Sequence, residues 1–119
     1  MRNYENFTVW KTARDLAVEL HAATNELDES IKHDLFNDIR RDSVAVMSNI
    51  AIGSINKNPV FINYLTKATG HVYACRSKVE LAIQLEWLHE DVGRELDEKL
   101  RQLSYMIYGL QRSLKERVA

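Results

Sequence analysis

Proline occurs once in these 119 residues and glycine only four times. A β-sandwich or barrel of this length needs many more turn formers, so helices are the economical reading of so few chain breakers. The single cysteine, Cys75, excludes an internal disulfide and fits a reducing cytosol. Nowhere does an apolar run approach the roughly 18 consecutive residues of a membrane-spanning helix. The opening Met-Arg-Asn-Tyr-Glu-Asn-Phe also lacks the apolar centre of a signal peptide. Charge of one sign is missing too: 16 Lys and Arg face 17 Asp and Glu, for a formal net charge of -1. That balance leaves no bulk electrostatic footprint for nucleic acid or an anionic membrane. What is present is 45% hydrophobic and 28% charged residues, the composition of a folded soluble protein rather than a disordered one. The length predicts one cytoplasmic domain over residues 1–119, burying roughly two-thirds of its unfolded surface.

Four helices follow from apolar period and punctuation. Val9, Ala13, Leu16, Leu20, Ala23 and Leu27 recur at helical spacing over about 8–27. Asp28 or Ser30 is available to cap a second helix at about 31–52. This helix carries Leu35, Ile39, Val46 and Ile50 on one stripe, with Val44, Met47 and Ala51 beside it. Gly53 stands where a left-handed residue would stop it. Asn58-Pro59 reads as a cap followed by proline at the first helical position, opening a third helix over about 59–86. There Phe61, Leu65, Ala68, Val72, Cys75, Val79 and Ala82 step by alternating fours and threes, a strict heptad seam. Leu96, Leu100, Leu103, Ile107, Leu110 and Leu114 repeat the rhythm over about 90–117. The short connection at Trp87-Leu88-His89-Glu90 predicts antiparallel third and fourth helices. Gly70 and Gly109, both mid-helix, read either as close backbone approaches or as incidental. The expected architecture is an all-α, antiparallel up-and-down four-helix bundle.

Catalytic and metal chemistry need constellations that this sequence does not assemble. Glu86-Trp87-Leu88-His89 has the Glu-x-x-His spacing of di-iron bundles, but it occurs once and at a helix end. His71 and Cys75 share a helix face at i, i+4, yet no second ligand pair joins them, and Cys75 occupies a seam position. His21 and His33 have no partner in pattern. No phosphate-cradling glycine loop or nucleophile elbow is present. The chain reads as a non-enzyme without metal or other cofactor.

The charged second helix allows two readings. Asp34, Asp38 and Asp42 fall at i, i+4 and i+8 as an acidic ridge, and Arg41 can pair with Asp38, which leaves Arg40 the freer of the two arginines. Such a face is either solvated and self-paired, or it presents Arg40 and Arg41 to a partner, with Arg76 and Lys78 of the third helix adding to them. Beyond the seams, Phe7, Trp10, Ile62, Tyr73, Leu81, Leu85, Trp87 and Tyr105 make the helices apolar over more than one stripe. The surplus predicts a broad core or a subunit interface. Phe7, Trp10, Ile62 and Tyr73 are the candidate interface residues.

The segments "FTVWKTARDLAVEL", "DIRRDSVAVMSNIAIG" and "FINYLTKATG" resemble, in order and spacing, the four-helix-bundle family often called S23 ribosomal proteins, or rRNA intervening-sequence proteins. Its members are encoded within bacterial large-subunit rRNA genes or stand alone, and it includes accessory variability proteins of diversity-generating retroelements. The resemblance spans nearly the whole chain. It implies an antiparallel four-helix protomer and a ring-like homopentamer. In the retroelement members it implies binding to reverse transcriptase and contact with nucleic acid. Two departures stand out. The family's Asn-Ile-Ala-Glu-Gly is here Asn49-Ile50-Ala51-Ile52-Gly53, and acids at Asp38 and Asp42 replace neutral residues beside the arginine pair. Both weaken a nucleic-acid role. The expectation is a homo-oligomeric scaffold or accessory protein with a protein partner, the alternative being an accessory protein that associates with structured RNA or a reverse transcriptase.

Overall fold

A computed structural model of the protein describes residues 3–25 and 32–118. A 3-10 turn at Tyr4–Asn6 precedes α1 (Thr8–Ala23), α2 (His33–Ser54), α3 (Asn58–Gln84) and α4 (Glu90–Val118). The heptad seam of α3 lies at the centre: all seven of its side chains, Phe61 to Ala82, are completely buried. Leu96, Leu100, Leu103, Ile107 and Leu114 of α4 are buried against it, with Leu110 packed at the margin. Val9, Ala13, Leu16 and Leu20 of α1 and Phe36, Ile39, Val46 and Ile50 of α2 close the same core. The result is an all-α protein of four compactly packed helices. Among the described residues, α1 packs on α2 and α4, and α3 packs on α2 and α4. Contacts between α2 and α3 pair Ile39 with Cys75, Asp42 with His71, and Gly53 with Phe61. Those between α3 and α4 pair Asn58 with Leu114, Ile62 with Gln111, Arg76 with Asp97, and Glu80 with Arg94. The molecule measures 50 × 21 × 19 Å, a length set by its longest helices at about 1.5 Å per residue.

Several helix ends differ from the sequence reading. The first helix ends at Ala23 with Thr24 as its C-cap; Leu27 and the proposed caps Asp28 and Ser30 lie outside the described residues. Gly53 is not a left-handed stop. It is a buried residue inside α2, and no described glycine has positive φ. Its role is space, since a Cβ there would sit 2.7 Å from Cβ of Tyr64 and 2.8 Å from the Phe61 ring. Lys57, with extended backbone, takes the N-cap place of α3, so Asn58 and Pro59 form its first turn. Gly70 and Gly109 meet no atom within 4 Å, so neither marks a close approach within the protomer. The second close glycine is Gly93, packed under Ile83.

The left-handed residue that the sequence reading placed at Gly53 occurs instead at the end of α3, and it is Glu86, with φ of 60°. Here the Glu86 N–H donates to Ile83 O and the Trp87 N–H to Ala82 O, both at 2.9 Å. Those two bonds make the Schellman closure, which normally takes glycine. Nδ1 of His89 then accepts the Asp91 N–H at 3.2 Å and caps the start of α4.

Candidate partner-binding surfaces

The ridge of three aspartates is not one surface. Steps of four residues advance about 40° around a helix, so the row spirals from solvent towards α3. Asp34 is exposed, the Asp38 side chain is half-exposed, and Asp42 is 8% exposed. The sequence did hold this signal, because Asp42 lies three residues after Ile39 and four before Val46, on the buried stripe. Burial of a carboxylate demands partners, and α3 supplies two. Lys78 Nζ donates to Oδ2 at 2.6 Å, and His71 Nδ1 donates to Oδ1 at 3.1 Å. Cys75, one turn from each, is wholly buried and sits 3.9 Å from Ile39 O. Burial, then the nearby Asp42 charge, pushes its thiol pKa up to about 12. A thiol so hard to ionise is a packing group rather than a nucleophile.

On the α3–α4 face, charges pair across the two helices and along α4. Arg76 grips Asp97 through two N–H···O contacts of 2.9 and 3.3 Å. That hydrogen bonding raises the guanidinium pKa further. Arg94 bonds Glu80 and holds the Glu80 carboxyl below its ordinary value. Arg101 donates to Glu98 at 2.8 Å, lowering the Glu98 carboxyl, and lies 5.2 Å from the centre of the Tyr105 ring. Tyr73, 55% exposed, lies beneath Arg76.

The four basic candidates therefore separate. Arg76 and Lys78 are held by Asp97 and Asp42. Arg40 is not the freer arginine of the pair: its Nε donates to Thr24 Oγ1 at 3.0 Å and its Nη2 to the Thr24 carbonyl. It thereby satisfies the C-terminal end of α1, where a cation is also favoured by the helix dipole. Arg41 projects outward, its side chain 74% exposed, in a 3.6 Å contact with Asp38. Arg40 and Arg41 line one shallow groove between α1 and α2 with His21, Asn37, Val44 and Ala45.

The apolar candidates separate as well. Phe7 packs edge-on against Phe61 at 5.7 Å, and Trp10 against Tyr4 at 4.9 Å. Ile62 is half-buried against the core. Of the four, Tyr73 stands clear of it, and Tyr105 and Tyr108, 62% and 59% exposed, are large exposed aromatics of α4. Among the described residues, no three His, Cys, Asp or Glu side chains are placed to hold a metal ion. None of the described helices is long and apolar enough to cross a membrane.

The sequence matches the family model described as "23S rRNA-intervening sequence protein" over residues 5–109, from the 3-10 turn through most of α4. A search of curated proteins gives no significant match. With that match covering all but the ends of the chain, the protein belongs to the 23S rRNA-intervening sequence protein family.

Proposed function

We propose that the protein is a non-enzymatic, homo-oligomeric scaffold or accessory protein of the bacterial cytoplasm that works by binding another protein. Its protomer is an antiparallel up-and-down bundle, an order supported by helix pairings in which rising residue numbers on one helix meet falling numbers on the next. The observation that carries the oligomer is the surplus of apolar surface. The seams already fill the core, yet Tyr73 and Leu81 of α3, its C-cap Leu85, and Tyr105 and Tyr108 of α4 stay between 44% and 62% exposed. Gathered into one contiguous patch, such groups would form an interaction surface. Groups suited to catalysis are otherwise engaged: His71 with Asp42, His89 in a helix cap, and Cys75 inside the core. A ring of five is the assembly that the family resemblance implies. Multi-angle light scattering in dilute buffer should give several times 13.8 kDa, five copies being the specific expectation. A clean monomer at micromolar concentration would refute the assembly. Nucleic acid is the weaker partner on this reading, because three of the four candidate cations are engaged within the protomer.

A further inference from the structure

The α1–α2 groove sets aliphatic and cationic side chains next to one another. It has a volume of about 400 Å³ and an aliphatic floor, Val44 and Ala45, beneath a polar rim of His21, Asn37, Arg40 and Arg41. No carboxylate is among its described lining residues. Arg40 is held in place by its two bonds to Thr24, so its charge is fixed at the rim with little rotamer freedom left to lose. Arg41 is the adaptable member. Its contact with Asp38 is too long for a good hydrogen bond and is solvent-exposed, and such a pair is readily exchanged for another carboxylate. His21 donates Nδ1–H to Ala17 O at 2.7 Å, which fixes the ring and leaves Nε2 available to a ligand.

We infer that this groove is the docking site for an acidic, aliphatic peptide segment of a protein partner. An aliphatic side chain rests on Val44 and Ala45, and a carboxylate close to it in the segment displaces Asp38 from Arg41. The inference rests on the protein-partner reading above and names the chemistry of that partner. Two alternatives fit less well. A bare anion would leave the aliphatic floor unused. A nucleic-acid backbone needs a track of several cations, whereas the described lining of the groove offers two arginines, Arg40 and Arg41.

The test pans a random dodecapeptide library on the assembled full-length chain and measures the enriched peptides by fluorescence anisotropy. Enriched peptides should combine Asp or Glu with Leu, Ile or Val. Arg41→Glu and Val44→Asp, both at exposed positions and so compatible with folding, should each weaken binding about tenfold. Asp38→Asn should strengthen it severalfold by removing the internal competitor, an effect that a merely structural role for Asp38 would not produce. Lys67→Glu on α3 should change nothing. Enrichment of peptides without acids, or no enrichment, overturns the inference. So does single-stranded RNA that displaces the peptide at lower concentration in an Arg41-dependent way. Peptides that bind equally well to the groove variants overturn the groove while leaving a protein-binding scaffold standing. Light scattering on the same samples reports separately on the assembly.

Discussion

Asp42 and Cys75 show how a residue's chemistry is set by what faces it across the helix interface. A carboxylate that accepts hydrogen bonds from Lys78 and His71 stays in the interior, and a thiol beside that carboxylate stays protonated. The second effect gives a signed pH dependence. The folded thiol pKa is raised to about 12, above the ordinary value of 9.0. Below pH 9 both folded and unfolded thiols hold their proton, and stability is unaffected. Above it the unfolded thiol ionises first, so stability falls by about 1.4 kcal/mol per pH unit. Urea unfolding between pH 7 and 11 should show a steeper alkaline decline in the wild type than in Cys75→Ala. Parallel slopes would show that the buried thiol does not contribute. At this scale the sequence was only partly legible. The i, i+4 spacing of His71 and Cys75 was visible, and so was the place of Asp42 between Ile39 and Val46, but its pairing with His71 and Lys78 was not, because those partners lie across the interface on another helix. Arg40 was misread for a related reason: its partner, Thr24, lies on another helix.

At the scale of the element, the seams of α3 and α4 were fully legible, since a heptad is a local property that the core then reads out directly. Helix ends were less so, because glycine has two uses that look alike in sequence. Gly53 gives space to Tyr64 and Phe61, whereas Gly70 and Gly109 face open solvent within the protomer. The same substitution should therefore have opposite signs. Gly53→Ala should cost about 1–3 kcal/mol by overpacking, and Gly70→Ala and Gly109→Ala should each stabilise by about 1 kcal/mol through helix propensity. Thermal or urea unfolding checks both. A concentration-dependent loss at Gly70 would place that position under another subunit. The left-handed Glu86 gives the complementary test. Glutamate in that conformation costs about 1–2 kcal/mol relative to a residue without Cβ. Glu86→Gly should therefore raise stability by about 1 kcal/mol, gauged by the same unfolding measurement. A neutral or destabilising result would mean that the Schellman closure is held by more than its backbone.

For the whole molecule, the question is whether assembly can turn a chain of net charge -1 into a nucleic-acid binder. Repetition of a site raises avidity without any new contact, so a ring of five presenting Arg41 would hold five exposed guanidinium groups. Each sits beside its own Asp38, however, and Asp34 stands exposed one turn further along. Arg76 and Lys78 are paired with Asp97 and Asp42 and add little outward charge, and Arg40 is fixed against Thr24 rather than projecting outward. Assembly multiplies the aspartates as often as the arginines, and like-charge repulsion cancels most of the gain. Structured RNA and duplex DNA should bind at physiological salt no tighter than about 10⁻⁴ to 10⁻⁶ M, the non-specific range. Anisotropy across a salt series measures this for the wild type, Arg41→Ala, and the Asp34→Asn, Asp38→Asn double variant. On duplex DNA each neutralised phosphate adds about 0.9 to the slope of log affinity against log salt. The wild type should show a shallow slope, and the double variant a steeper one. Nanomolar wild-type binding that Arg41→Ala abolishes would instead mean that the ring gathers its arginines away from its carboxylates, and nucleic acid would then replace protein as the partner.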